Sequence, residues 1–129
     1  MKKILIAEDD FFIRDVYSKT FTNSGYDVQT AIDGLDAIDK IKAQDYEMIL
    51  LDIMMPRMTG IDVLRWLRGL DTKAKETPVF FITSLGQQNF IEDAFKLGMD
   101  GYIIKSQVTP QQIVEEIDNF FAERESMNV

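Results

Sequence analysis

Four apolar residues, Met48-Ile49-Leu50-Leu51, run without interruption into a carboxylate, Asp52, and Pro56 then blocks any continuation of the strand. A short unbroken apolar run is the pattern of a strand buried on both faces, as in a parallel sheet covered by helices. Asp52 therefore stands where a buried strand ends and a loop begins, the edge at which open α/β sheets bind ligands. Thr59 and Gly60 follow as the cap and opening of the next helix.

The same pattern recurs three times. Ile4-Leu5-Ile6-Ala7 ends in Glu8-Asp9-Asp10, Val79-Phe80-Phe81-Ile82 ends in Thr83-Ser84, and Gly101-Tyr102-Ile103-Ile104 ends in Lys105. Between these runs lie helix-spaced apolar positions: Phe12, Ile13, Val16, Tyr17 and Phe21; Leu35, Ile38 and Ile41; Ile61, Val63, Leu64 and Leu67; and Ile113, Ile117, Phe120 and Phe121. A weaker helix is expected from about Gln88 to Leu97. Asp10 and Asp33 suit N-cap positions, Gly25, Gly69 and Gly98 suit stops, and Thr109-Pro110-Gln111-Gln112 reads as a capping box. Tyr26–Ala31 alternates as an edge strand does. Five β/α units in alternation predict an α/β fold, a doubly wound parallel sheet in the flavodoxin-like order 2-1-3-4-5. In that order strands 1 and 3 flank the switch point, and these are the strands that end in Glu8-Asp9 and Asp52.

With 129 residues and no internal composition shift, a single domain is expected over residues 1–125, with a frayed tail at 126–129. The absence of cysteine and histidine excludes disulfides, thiol nucleophiles, thiolate metal sites, Ser/His/Asp catalysis and histidine phosphorelay chemistry on this chain. A net charge of −8 argues against a nucleic-acid partner. The apolar N-terminal run is too short for a signal or membrane segment, so a cytoplasmic protein is the default.

Each polar strand end has an ordinary reading by itself: a solvated acidic turn, a turn hydroxyl, a lysine that snorkels to water. At one edge together, carboxylates without His or Cys make a hard-oxygen environment suited to Mg²⁺, and a lysine and a hydroxyl beside it suit a phosphoryl group. An Asp near such an ion can itself accept the phosphoryl group.

At these residues the chain resembles the receiver domains of two-component response regulators, including stand-alone chemotaxis-type receivers. The resemblance spans Ile4 to the last helix. It rests on Glu8-Asp9, on Asp52-Ile53-Met54-Met55-Pro56-Arg57-Met58-Thr59-Gly60, on Thr83-Ser84, and on Ala94-Phe95-Lys96-Leu97-Gly98 with Tyr102-Ile103-Ile104-Lys105. It implies that Asp52 is the phosphoacceptor and that Mg²⁺ is held by Asp9, by Glu8 through water, by Asp52 and by the Met54 carbonyl. It further implies that Thr83 is the switch hydroxyl, that Lys105 pairs with the phosphoryl group and that Tyr102 is the aromatic following Thr83. The phosphodonor would be a sensor histidine kinase or a histidine phosphotransfer protein, and the face of helix 4, strand 5 and helix 5 would control a downstream protein. A monomer is expected, with dimerisation on phosphorylation left open. On the helix that carries Phe90 and Phe95 the core is the expected home for most apolar residues, with Phe90 and Phe95 also candidates for a partner surface, and Phe11 a candidate for contact with the phosphodonor.

Two departures from the family pattern carry expectations. Ser106 stands where the family usually has proline after a cis bond, and a cis bond before a non-proline costs about 3 kcal/mol, so this loop is expected to be trans or strained. Met54 and Leu85 lie where hydrolytic water would approach, and neither orients water, so slow self-dephosphorylation is expected. Three rival readings remain. A Mg²⁺-dependent phosphohydrolase would want Asp-x-Asp, which Asp52-Ile53-Met54 lacks. A flavin carrier would not place acids after strand 1. A receiver-like scaffold that no longer takes phosphate conflicts with intact Asp52, Thr83 and Lys105. The chain is either a stand-alone receiver or a fragment of a larger regulator.

Overall fold

The structure, a computed structural model, describes residues 1–84 and 86–127, with only the backbone at 88. Strands β1 (Lys3–Ala7), β2 (Asp27–Ala31), β3 (Met48–Asp52), β4 (Val79–Thr83) and β5 (Gly101–Ile104) pair in parallel in the order β2-β1-β3-β4-β5. Helices α1 (Phe11–Asn23), α2 (Gly34–Ala43), α3 (Gly60–Arg68), α4 (Ile91–Lys96) and α5 (Pro110–Met127) connect and follow them. The doubly wound sheet expected from the alternation is the one observed.

The two-residue period of the strands divides the core into two layers. Ile4, Ile6, Met48, Leu50, Phe80, Ile82 and Ile103 pack under α1 and α5, against Tyr17, Phe21, Ile113, Val114, Ile117 and Phe121. Leu5, Ala7, Ile49, Leu51, Val79 and Phe81 face the other way, against Ala37, Ile38 and Ile41 of α2, Val63, Leu64 and Leu67 of α3, and Ala94 of α4. Every residue of β3 and β4 is buried, as continuous apolar runs require. β5 differs from the buried strand its sequence suggests. Only Ile103 is buried and Tyr102 is 47 % exposed, because the strand order leaves β5 at an edge with one neighbour.

The caps follow the sequence. Asp10 accepts from the Ile13 N–H at 3.0 Å, Asp33 from Asp36 N–H at 2.8 Å, and Thr59 from Asp62 N–H at 3.2 Å. The capping box at α5 closes both ways: Thr109 N–H donates to Gln112 Oε1 at 2.8 Å, and Gln112 N–H to Thr109 Oγ1 at 3.1 Å. α4 is shorter than expected, with a 3₁₀ turn over Gln88–Phe90 in place of its first turn and no side-chain cap at Phe90. Phe12 and Val16 of α1 are exposed although they fit the helical spacing. Ile13, Tyr17 and Phe21 already fill the strip that meets the sheet, and Phe12 and Val16 form the adjoining row. The Lys105–Ser106 bond is trans and leads into a 3₁₀ turn, Lys105–Gln107. Ser126 and Met127 are the last residues of α5, and Asn128 and Val129 lie outside the described residues.

Arg68, at the end of α3, gathers two connections far apart in sequence, the one before β4 and the α4–β5 turn. Its Nη1 donates to the carbonyls of Lys75 and Thr77, both at 2.8 Å, and its Nη2 to Gly98 O at 2.8 Å and Asp100 Oδ2 at 3.3 Å. Asp100 Oδ2 in turn accepts the Val79 N–H at 2.8 Å, so the group pins the start of β4 to the α4–β5 turn. Arg68→Ala leaves these carbonyls unpaired in a site where the side chain is only 18 % exposed, and is expected to cost about 2–3 kcal/mol in urea unfolding. Arg68→Lys should recover less than half, since a point charge cannot span the fork.

Candidate functional site

The parallel register brings four strand ends to one edge. Leu51 pairs with Ala7, Asp52 with Ile82, and Thr83 with Ile104, so Glu8, Asp52, Thr83 and Lys105 lie at the same level of the sheet. Glu8 and Asp52 are buried, Thr83 is fully buried, and Asp9 is exposed. Carboxylate oxygens of Glu8, Asp9 and Asp52 lie within 4.8 Å of one another. Lys105 Nζ bridges two of these acids, 2.8 Å from Glu8 Oε1 and 2.8 Å from Asp52 Oδ2.

The electrostatics follow from that geometry. Burial pushes the Glu8 carboxyl up to about 8, the neighbouring Asp52 carboxylate acts in the same sense, and Lys105 opposes both. Burial also works against the Lys105 ammonium, but its hydrogen bonds to Asp52 and Glu8 outweigh the desolvation and raise its pKa. One ammonium cannot balance three carboxylates. Among the described residues, Glu8 Oε2 is a buried side-chain oxygen with no hydrogen-bond partner. An unpartnered buried oxygen beside two other oxygen donors, with no nitrogen or sulfur ligand in reach, fits a hard divalent cation such as Mg²⁺, bound directly or through water.

Side chains that the sequence did not single out hold the loops around this cluster. Arg14, in the first turns of α1, donates from Nη1 to the carbonyls of Glu8 at 2.8 Å and Asp9 at 3.3 Å, fixing the acid pair from behind. Its position one turn after the acids was the available signal. Gln87 engages the β4–α4 loop: its Oε1 accepts the Ser84 N–H at 3.0 Å and lies 3.2 Å from Thr83 Oγ1. The Thr83 hydroxyl has a single proton to donate, and both its acceptors, Ser84 O at 3.1 Å and Gln87 Oε1, belong to its own loop. Nothing in sequence spacing marks that contact. Leu85 lies outside the described residues, while the Met54 side chain is 48 % exposed at the start of the β3–α3 loop.

The candidate surface residues separate. Phe11 and Phe95 are exposed, at 62 % and 72 %. Phe90, open to both a core and a surface reading, is partly buried in the 3₁₀ turn ahead of α4 and packs against the core. Beside Lys105, a groove of about 350 Å³ is lined by Phe12, Ile13, Val16, Tyr17, Val108 and Pro110. Phe12 stands edge to face with Phe11, ring centroids 5.5 Å apart, and Phe11 lies on the other side of α1's first turn, with Arg14, Asp15 and Ser18.

Comparison with known proteins agrees with this geometry. The sequence model of the response regulator receiver domain matches residues 4–118. The chain is 31 % identical to the chemotaxis protein CheY of Thermotoga maritima over 118 residues, covering 91 % of this chain and 95 % of that protein. It is 34 % identical to the chemotaxis protein CheY of Treponema pallidum over 106 residues, 80 % of this chain and 72 % of that one. A CheY-like response regulator receiver domain protein of Methanospirillum hungatei superposes with a TM-score of 0.87 at 27 % identity, over 98 % of both chains.

Asp52 is also braced from its backbone side. A Cβ at Gly60 would lie 2.2 Å from the Asp52 carbonyl oxygen and 2.8 Å from the Phe81 ring, so only glycine fits there. The Gly60 N–H closes the loop by donating to Ile53 O at 2.8 Å. Gly60→Ala is expected to displace the Asp52 main chain and to cost about 1–3 kcal/mol, seen as a lower urea midpoint at unchanged m-value.

Proposed function

The chain belongs to the response regulator receiver domain family, and from that membership we propose that it is a phosphorylation-controlled signalling switch whose phosphoacceptor is Asp52. The observation that carries the assignment is the convergence of Glu8, Asp9, Asp52 and Lys105 at one sheet edge. Asp9, Asp52 and the Met54 carbonyl are the ion's direct protein ligands in this reading, with Glu8 acting through water. When bound, Mg²⁺ supplies charge neutralisation between the carboxylates and the incoming phosphoryl oxygens.

The chain's own groups do the rest. A carboxylate oxygen of Asp52 attacks the phosphorus of a phosphohistidine on a sensor histidine kinase or phosphotransfer protein. The P–N bond breaks as the P–O bond forms, and the histidine nitrogen leaves with the electron pair. Lys105, already on Asp52, moves with the new charge onto the phosphoryl oxygens. The Thr83 hydroxyl exchanges its loop acceptors for a phosphoryl oxygen, and Tyr102, exposed on β5, turns inward behind it. That rearrangement reshapes the α4–β5–α5 face, on which Phe95 and Tyr102 are exposed, for a downstream protein. The phosphodonor docks over the start of α1, where Phe11 and Phe12 are exposed.

The rival chemistries lack support at the same atoms. A phosphohydrolase needs a second acid two residues past Asp52, where Met54 stands, and a phosphate-cradling loop after β1 is incompatible with Glu8 and Asp9. The scaffold reading leaves the Lys105 bridge and the unpartnered Glu8 oxygen without a use.

Incubation with Mg²⁺ and acetyl phosphate is expected to add a single phosphoryl group, read by intact mass. The adduct should require Mg²⁺ and be lost in Asp52→Asn; an adduct that survives in Asp52→Asn refutes the assignment. The aspartyl phosphate is expected to be long-lived, because the Met54 side chain cannot orient water. Met54→Gln should shorten its lifetime severalfold in a phosphate-release assay, and a lifetime of seconds in the unaltered protein would count against this account.

A further inference from the structure

Arg57 is the one non-glycine residue among those described with a positive φ, +67°. A side chain in that region persists only where its surroundings over-determine it. Here the surroundings are Asp33, the buried N-cap of α2. Arg57 Nε and Nη2 both donate to Asp33 Oδ2, at 2.8 and 2.5 Å, while Asp33 Oδ1 takes the Asp36 N–H. The Asp36 N–H and the Arg57 guanidinium hold the Asp33 carboxyl below the usual carboxylate range, so the pair is ionised throughout the neutral region. A second contact joins the same two segments: a Cβ at Gly34 would lie 2.4 Å from the Met58 carbonyl oxygen, so the first turn of α2 rests directly on the β3–α3 loop.

The loop between Asp52 and α3 is thus fixed at two points. Gly60 closes its far end on Ile53, and Asp33 grips its middle through Arg57. Met54 lies between β3 and that grip. We propose that Arg57, through its forked pair with Asp33, is a positioning residue that holds the Met54 carbonyl in place for the cation at Asp9 and Asp52. The inference rests on the Mg²⁺ site proposed above. Neither Arg57 nor Asp33 touches the ion; they set the backbone that does, as outer groups set the ligands of other metal sites.

The test is Mg²⁺ affinity by isothermal titration of the unphosphorylated protein, with no turnover involved. The variants are Arg57→Gly, which keeps the left-handed backbone and removes the fork; Asp33→Asn, which keeps the helix cap and removes the charge; and the double variant. Each single change is expected to weaken Mg²⁺ about tenfold, and the double no further, because both break one pair. Saturating Mg²⁺ should return acetyl phosphate labelling to within about twofold of the unaltered rate. Through-space electrostatics alone gives a different pattern. Losing the Arg57 cation would tighten Mg²⁺ and losing the Asp33 anion would weaken it. That opposite pair of shifts, unchanged affinity in both variants, or additive losses in the double would overturn the proposal. Arg57→Lys, which keeps the charge without the fork, should recover only part of the affinity. Asp9→Asn serves as the control: if it binds Mg²⁺ as the unaltered protein does, the metal site itself is wrong, whatever Arg57 does.

Discussion

Two buried carboxylates share one ammonium, and the site depends on that imbalance. Lys105 lies 2.8 Å from both Glu8 and Asp52, yet a third acid, Asp9, joins the cluster and one Glu8 oxygen has no partner. Buried ion pairs are weak contributors to stability, since desolvation offsets most of their attraction. A cluster with excess negative charge is worse than neutral. The fold tolerates it because the strands beneath are fully buried and the loops above are tied down by Arg14, Arg57 and Gly60. What the edge loses in intrinsic stability it gains as a place where a cation and a phosphoryl group are welcome.

The two layers of the core meet this requirement differently. The α1–α5 layer supplies Arg14 behind the acids and the apolar groove beside Lys105. The α2–α4 layer supplies the brace under Asp52, through Gly60 and the Asp33–Arg57 pair. Among the described residues, the Thr83 hydroxyl and the Gln87 side-chain carbonyl meet in the β4–α4 loop, with a 3₁₀ turn behind them. Rigid support thus sits under the acids, and the segment with alternative hydrogen-bond partners sits next to the proposed output face.

Much of this was legible in the chain. Asp52, Glu8 and Lys105 could be found because each interrupts an apolar run, and in a parallel sheet the ends of such runs fall at one edge. The caps at Asp10, Asp33, Thr59 and Thr109 were legible because they rely on partners only three residues away. The rest depended on distance. Arg57 reaches 24 residues back to Asp33, and Arg68 reaches 30 forward to Gly98; no local spacing encodes either. Phe12 and Val16 misled because helical spacing marks an apolar stripe without saying how much of it the sheet can cover. Phe90 could be read as core or as surface, and it packs against the core from the 3₁₀ turn ahead of α4.

The Lys105 bridge also ties the proposed site to completeness of folding. Its two bonds close spans of 97 and 53 residues, so they form only when the first, third and last strands have all docked. Contacts of that range come late, because the loop-closure entropy must be overcome before they stabilise anything. A chain still emerging from the ribosome, or one that has lost β5, has Asp52 but no ammonium beside it. Completion of the proposed site thus reports on the integrity of the whole sheet.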